Sequence, residues 1–346
     1  MADTYTWSTA AVLRETSDTV TVVFHTNGTP ITYSPGQFVN ITLRIGGEPV
    51  TRSYSLSSIP GDPPAITVKR VQDGLMSNYI ADNAAGIKEW QVSGPYGTFM
   101  LPDHITDAKH LVLLAGGSGI TPLFSIARAF TDRFQDAAVT LIYSSGTEII
   151  FREQISAWTA QHSHRTQVHY AMSKPAPEED MTGMIRGRVN KLIAKKLIKA
   201  AVPELHDGTH YFICGPAELM KMHHEMLDGM GIANDNIYLE WFAPDEEATT
   251  VTLPEEQQEV LLHFREQSNL LEVHPGQTIL DAALTDKIPL PYSCKTGTCG
   301  SCAARLISGR VMMQHNYALR KTDVDQGWVL LCQGYPLTGD VTLEME

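Results

Sequence analysis

Four cysteines in the last fifth of the chain are the side chains best suited to chemistry. Cys294, Cys299 and Cys302 form a C-x4-C-x2-C run, and Cys332 follows after a further strand-like stretch. Thiolates so spaced can converge on iron and inorganic sulfide, and a plant-type run with a distant fourth cysteine is the 2Fe-2S pattern. The intervening Lys295-Thr296-Gly297-Thr298 and Gly300-Ser301 are small or flexible, so the backbone can curl around a cluster and aim amides at sulfur. The competing reading is structural zinc. Zinc sites usually pair two C-x2-C units or add histidines, whereas here one C-x2-C stands without a partner pair.

A second set of residues suits phosphate binding. Gly116-Gly117-Ser118-Gly119-Ile120-Thr121-Pro122 follows the apolar run LVLLA and precedes a helical pattern. Glycines there let the backbone approach a pyrophosphate, Thr121 can cap the helix, and Pro122 suits its first turn. This is not the G-x-G-x-x-G fingerprint, because Pro122 takes the place of its third glycine, and a tight structural turn is the alternative. Upstream, Arg52-Ser53-Tyr54-Ser55 follows a strand, and Val68-Lys69-Arg70 leads to Gly74-Leu75-Met76-Ser77 at a helix start. An arginine beside a helix N-terminus makes a pair of anion contacts for a flavin phosphate. The fifth cysteine, Cys214, taken by itself in ICGPAELM, reads as a small buried hydrophobe. His223-His224-Glu225 does not make H-E-x-x-H and reads as part of a helix face.

Taken in order, these motifs resemble the ferredoxin-NADP reductase superfamily, and within it the reductases with a C-terminal plant-type ferredoxin domain. The resemblance rests on RSYS, VKR with GLMS, GPYGTF at Gly94 to Phe99, GGSGITP, CGP at Cys214-Gly215-Pro216, and the cysteine loop, and it covers nearly the whole chain. The C-terminal third, with LPYSCKTGTCGSCAARL and GWVLLCQGYPLT, looks most like the reductase components of phenylacetyl-CoA epoxidase and of steroid hydroxylases. The resemblance implies that Arg52 and Ser77 contact an FAD pyrophosphate, with Val68, Lys69, Gly74 and Met76 in the same motifs. It implies that Tyr54 lies along the isoalloxazine and Ser55 bonds near flavin N5. Gly117, Ser118, Gly119, Thr121 and Pro122 would cradle the nucleotide pyrophosphate, and Cys214, with Gly215 and Pro216, would lie beside the nicotinamide. Glu240-Trp241-Phe242 resembles the family's acid-x-aromatic ending, with Glu240 at the reacting centre and Phe242 guarding the flavin. In plant reductases that aromatic ends the chain; here Phe242 runs into an acidic stretch.

The elements that must hold these residues fall into distinct textures. TVTVVFHT at Thr19 to Thr26 alternates, Asn27-Gly28 is a hairpin signal, and Phe38 to Ile45 continues the pattern, which predicts a small antiparallel Greek-key β-barrel over 1–105. Over 106–243, the runs HLVLLA, VTLIYSS and HYFIC alternate with helical patterns, which predicts a parallel sheet covered on both faces, an α/β nucleotide-binding domain. Residues 244–258 read as an acidic linker, since Asp245, Glu246, Glu247, Glu255 and Glu256 have no basic neighbour. Residues 259–346 read as an α+β ferredoxin-type (β-grasp) domain.

Composition limits the partners. With 346 residues, 43% hydrophobic, the chain can fill several cores, and a net charge of −13 argues against nucleic acid. No basic-then-apolar leader and no run of membrane-spanning length is seen, so a cytoplasmic protein without stable membrane insertion is expected. Nicotinamide gives two electrons as hydride, a 2Fe-2S cluster takes one, and a flavin bridges the two. The expected route is NAD(P)H to FAD to cluster to an external oxygenase or hydroxylase, such as an epoxidase. A fatty-acyl desaturase as acceptor, and a non-enzymatic iron-sulfur carrier, are the alternatives. The second parallel strand ends in Tyr143-Ser144-Ser145 with no acid for ribose hydroxyls, and Arg152 follows as a candidate 2′-phosphate partner, which favours NADPH over NADH slightly. The simpler reading of Arg152 is a helix-turn pair with Glu148.

Overall fold

The structure is a computed structural model describing residues 3–177, 179–203, 208–242, 255–292, 294–319 and 321–345. Most of the expected linker therefore lies outside the described residues. Two compact units emerge among the described residues, one over 3–95 and 99–242, the other over 255–345. Among the described residues no helix is long and apolar enough to cross a membrane.

The first unit begins with the antiparallel barrel. Its strands are β1 (Asp3–Thr16), β2 (Thr19–His25), β3 (Phe38–Ile45), β4 (Glu48–Ser55), β5 (Ala65–Lys69) and, after helix α1 (Leu75–Asn83), β6 (Trp90–Tyr96). The sheet order is β4-β3-β6-β1-β2-β5. A long β1 serves both halves: Asp3 to Trp7 pairs with β6 and Ser8 to Thr16 with β2, and a register shift between Thr9 and Ala11 bends it from one to the other. Trp7, Phe24 and Trp90 fill the interior, with ring centroids 5.1 and 5.2 Å apart.

Asn27-Gly28 behaves differently from the expected hairpin. Both residues take the left-handed turn conformation, φ 52° and 87°, yet β2 and β3 are not neighbours. Asn27 instead bonds back to β1, its Nδ2 donating to the Thr6 carbonyl at 2.9 Å, and the following segment crosses to the other half of the barrel. The alternation of β2 also misleads about exposure, because Thr19 and Thr21 are buried. Thr21 Oγ1 lies 2.8 Å from Thr67 Oγ1, so the polar face is satisfied internally.

The nucleotide-type half consists of β7 (His110–Gly116), α2 (Ile120–Arg133), β8 (Ala138–Ser145), α3 (Arg152–Gln161), β9 (Thr166–Met172), β10 (Ile185–Arg186), α4 (Lys191–Ala201), β11 (Thr209–Cys214), α5 (Ala217–Asp228) and β12 (Ile237–Glu240). All six strands are parallel, in the order β10-β9-β8-β7-β11-β12. Every residue of β7 is buried because alternate side chains enter two cores. Leu111, Leu113 and Ala115 face one with α2, Val112 and Leu114 the other with α4 and α5.

Barrel and parallel sheet share one unit. Ser125 Oγ of α2 donates to the buried Ser58 carbonyl at 2.7 Å, and Arg128 Nη2 meets Asp62 Oδ2 at 2.7 Å. The backbone N–H of Ser17 donates to both Glu148 carboxylate oxygens, at 3.0 and 3.1 Å. Glu148 is thus engaged across the domain junction, away from Arg152.

The second unit carries β13 (Gln258–Phe264), β14 (Gln267–Val273), α6 (Ile279–Thr285), β15 (Ala303–Ser308), β16 (Val311–Met313), α7 (Lys321–Asp325), β17 (Trp328–Leu330), β18 (Gly334–Pro336) and β19 (Val341–Met345). Its main sheet, β14-β13-β19-β15-β17, has one parallel pair, β13 with β19, at its middle. Thr278 caps α6 by accepting from the Asp281 N–H at 3.1 Å. The cysteine loop lies between α6 and β15.

Candidate active site and cluster site

The reacting centre expected from the motifs is assembled from three distant stretches. Ser55 closes β4, Cys214 closes β11, and Glu240 closes β12 in register with Cys214. Ser55 hydrogen-bonds the Glu240 carboxyl, whose Oε2 is buried and has no partner among the described residues. Glu240 is half-buried as a residue, but burial of the carboxyl pushes its pKa up to about 8, against the opposing Ser55 bond. Cys214 is fully buried; burial first, and the Glu240 charge second, raise its thiol well above the ordinary range. At neutral pH the three groups are thus a neutral hydroxyl, thiol and carboxylic acid with one unfilled buried acceptor, which fits a bound redox ring better than a solvated surface.

The glycines around Cys214 show why the turns carry no side chains. A Cβ on Gly119 would sit 2.2 Å from the Cys214 carbonyl oxygen, and one on Gly116 would sit 2.7 Å from Pro216 Cδ. A Cβ on Gly215 would sit 2.9 Å from Gly116 Cα, so the turns after β7 and β11 touch backbone to backbone. Gly117 alone, at φ +53°, would place a Cβ in open space, and its side of the turn can accept a pyrophosphate. Thr121 does not cap α2: its Oγ1 donates to the Ser118 carbonyl at 2.9 Å, while Gly119 holds the cap position. Pro122 stands in the first turn as expected, and that turn holds no acid.

On the barrel, strand alternation sets Arg52 and Tyr54 on one face of β4 and Ser55 on the other. Arg52 is exposed, its Nη1 donating to the Thr51 carbonyl at 2.8 Å, and burial raises the Tyr54 phenol. The α1 N-terminus has no side-chain cap and no acid in its first turn. Ser77, expected at the phosphate, turns inward: its Oγ accepts from the Val71 N–H at 3.2 Å, and Gly74 packs so closely that a Cβ would sit 2.5 Å from that oxygen. The side chains of Val68 and Met76 lie in the barrel core, out of a ligand's reach. Lys69 Nζ lies 3.4 Å from Asp18, and Phe242 is 48% exposed. Exposed cation, open helix end and orphaned carboxyl together fit a flavin dinucleotide.

Near the end of β8, Arg152 pairs with Glu179 rather than with Glu148. Ser144 Oγ is buried there without a partner among the described residues. Glu179 lies 27 residues downstream in a loop, beyond reach of helix-spacing rules.

In the second unit the four cysteines form a continuous string of thiol contacts, Cys299 with Cys294, Cys294 with Cys332, and Cys332 with Cys302. Cys294 Sγ accepts the N–H groups of Thr296 and Thr298 at 3.3 and 3.4 Å, and Cys302 Sγ accepts that of Cys332 at 3.5 Å. The curl needed for this comes from Lys295, Gly297 and Gly300, at φ 56°, 79° and 72°. Among the described residues no three His, Cys, Asp or Glu side chains enclose a site for a single metal ion. An elongated set of sulfurs supplied with amide donors fits a two-iron centre.

Three family models match successive stretches of the chain. Residues 10–101 match the oxidoreductase FAD-binding domain, 113–225 the oxidoreductase NAD-binding domain, and 247–337 the 2Fe-2S iron-sulfur cluster binding domain. The chain is 31% identical over 354 residues to the glycine betaine monooxygenase reductase subunit of Pseudomonas aeruginosa, covering 96% of this chain and 93% of that one. It is 32% identical over 361 residues to the ferredoxin reductase component of 3-ketosteroid-9-alpha-monooxygenase of Rhodococcus rhodochrous, covering 97% and 95%. Identity to a component of the 1,2-phenylacetyl-CoA epoxidase of Escherichia coli is 28%, over 100% and 99%. Phthalate dioxygenase reductase shares the fold with a TM-score of 0.60 at 21% identity, over 99% of this chain and 98% of that one. A type IV self-sufficient cytochrome P450 monooxygenase shares it with a TM-score of 0.76 at 22% identity, and the chain spans 41% of that longer protein.

The chain belongs to the ferredoxin-NADP reductase-like family, among the reductase components of multicomponent oxygenases that carry FAD-binding, NAD-binding and 2Fe-2S domains. It is an NAD(P)H-dependent oxidoreductase.

Proposed function

We propose that this chain works in the cytoplasm, oxidising NADPH in preference to NADH and delivering single electrons to an oxygenase or epoxidase. The observation that carries this reading is the meeting of Ser55, Cys214 and Glu240 where the glycine turns of the parallel sheet reach the barrel. A bound FAD supplies hydride acceptance and single-electron release, and a bound 2Fe-2S cluster supplies the one-electron outlet. Arg52 and the α1 N-terminus would hold the flavin pyrophosphate, Tyr54 and Phe242 would lie against its ring, and Gly117 with the α2 N-terminus would hold the nicotinamide nucleotide. Cys294, Cys299, Cys302 and Cys332 would hold the cluster, and four such thiols suit a reducing compartment. The domain limits proposed are 1–105, 106–243, a linker of 244–258, and 259–346. The oxygenases named for the relatives point to that acceptor class rather than to a desaturase. Reconstitution with candidate oxygenases while following substrate turnover tests the acceptor, and NAD(P)H that fails to bleach the flavin absorption would end the proposal.

Glu240 and Ser55 act as a neutral pair, able to hold a proton between Glu240 and Ser55 Oγ. Turnover with ferricyanide should fall as pH rises through about 8, and Glu240→Gln should be slower and lose that limb. A carboxyl raised in the folded state takes up a proton on folding. Its penalty therefore grows as pH climbs from the ordinary value of 4.5 towards 8, and Glu240→Gln should flatten thermal stability over that range. An inflection near pH 8 that survives in the variant would assign it elsewhere.

Arg152 is the natural 2′-phosphate partner, but Glu179 neutralises it. Glu179→Gln should raise kcat/KM for NADPH several-fold with little change for NADH, and Arg152→Ala should lower it about tenfold, the worth of one charged contact. Equal effects on both nucleotides would remove Arg152 from the phosphate site.

A further inference from the structure

One buried amide in the second unit serves none of the roles described above. Gln333, 7% exposed, directly follows the fourth cysteine. Its Nε2 lies 2.9 Å from the Lys295 carbonyl, 2.9 Å from the Cys332 carbonyl and 3.9 Å from Cys332 Sγ. Carbonyl oxygens only accept, so the atom facing both must be the amide nitrogen, and the orientation of the side chain is fixed by its partners. One N–H is used by Lys295; the other is shared between the Cys332 carbonyl and sulfur. Lys295 directly follows the first cysteine of the loop, and its φ of 56° belongs to the left-handed region. The stem of Gln333 is equally constrained, since a Cβ on Gly297 would sit 3.0 Å from its Cγ.

We propose that Gln333 is a positioning residue of the cluster site, clamping the residue after the first cysteine to the segment of the fourth and donating an N–H to the Cys332 sulfur. The proposal rests on the cluster assignment to these four cysteines and goes beyond it. Within the loop, Thr296 and Thr298 N–H groups serve the Cys294 sulfur; two ties from outside it are of a different kind. Tyr317 N–H reaches the Gly297 carbonyl at 3.0 Å, and Lys295 Nζ reaches Asp281 Oδ1 at 3.0 Å from the solvent side. Neither touches a cysteine sulfur. Hydrogen bonds to ligating sulfur stabilise the more negative, reduced state of such a centre, so removing this donor should make the centre harder to reduce.

The test uses the full-length, flavin- and cluster-loaded protein and two variants, Gln333→Leu and Gln333→Glu. Both are measured by potentiometric titration, by the electron paramagnetic resonance spectrum of the reduced cluster, and by the rate of bleaching under a ferrous-iron chelator. The expected result is a more negative midpoint for Gln333→Leu, corresponding to about a tenfold fall in the equilibrium constant for one-electron reduction, and a several-fold faster chelator loss. Gln333→Glu keeps the shape but replaces the donor with an acceptor, and should shift the midpoint further in the same direction. Altered g-values in either variant support a contact at sulfur. Wild-type midpoints and spectra in loaded Gln333→Leu and Gln333→Glu would overturn the proposal. If the leucine variant cannot be loaded, the isosteric glutamate variant decides alone, a wild-type midpoint counting against and a lowered one for. A wild-type protein whose iron is held by other residues, seen when Cys332→Ser keeps the same spectrum, would instead strike the cluster assignment itself.

Discussion

Cys299→Ser is expected to abolish electron delivery to an oxygenase, by at least about a hundredfold, while reduction of ferricyanide by NAD(P)H stays within about twofold of wild type. The physical reason is that the two sites belong to different units, each with its own core. Cys299 is buried among the packed residues of the second unit, with Cys302 and Cys332 in that unit's own core. The Ser55, Cys214 and Glu240 group lies in the first unit, with its own barrel and parallel-sheet cores. A serine hydroxyl is a far poorer ligand for iron than a thiolate at neutral pH, so the cluster is lost or crippled without disturbing the flavin half. Stopped-flow flavin reduction and oxygenase-coupled turnover measure the two halves separately. Parallel loss of both activities would contradict the division of labour.

Gly119→Ala should be the most damaging single methyl group in the glycine turns beside Cys214. The added carbon would lie 2.2 Å from the Cys214 oxygen, 2.4 Å from its carbonyl carbon and 2.7 Å from the Gly215 nitrogen. All three are backbone atoms of the strand end that carries the candidate reacting centre, so the clash cannot be relieved by turning a side chain. Overpacking of this kind costs about 1–3 kcal/mol or more, and displacing the nicotinamide-side residues by even about 1 Å can cost about a hundredfold in rate. The expected result is a lowered Tm together with a fall of that order in NAD(P)H-driven flavin reduction. Gly117→Ala provides the comparison, because its Cβ meets open space and only its φ of +53° is unfavourable. A Gly119→Ala protein with wild-type Tm and rate would show that the two turns are not in the close contact seen here.

What could be read from the sequence follows from how local each feature is. The convergence of the four cysteines was legible because three of the four lie within nine consecutive residues, Cys294 to Cys302, and the loop glycines between them take the left-handed values that the curl demands. The parallel sheet was legible from runs such as HLVLLA, in which the absence of alternation itself reports burial on both faces. The Ser55, Cys214 and Glu240 meeting was legible only through resemblance, since no local rule connects strand ends at positions 55, 214 and 240. Asn27-Gly28 gave the right turn conformation and the wrong strand pairing, because the backbone angles are local and the partner is not. Thr121, Ser77 and Arg152 had suitable chemistry, yet each found an internal partner first: a carbonyl, a turn N–H and a loop carboxylate. Gln333 gave no signal beyond its place after Cys332.

The contacts of Ser125 with Ser58, of Arg128 with Asp62 and of Ser17 with Glu148 bear on how such chains can be recombined. A chimera joined near position 105 would strand each of these partners against a foreign surface, and Gly36, where a Cβ would sit 2.9 Å from Ile126 Cδ1, would face an unmatched neighbour. The heritable module is therefore the flavin and nucleotide halves taken as a pair. Gene fusions that trade electron outlets should carry their junction beyond Phe242.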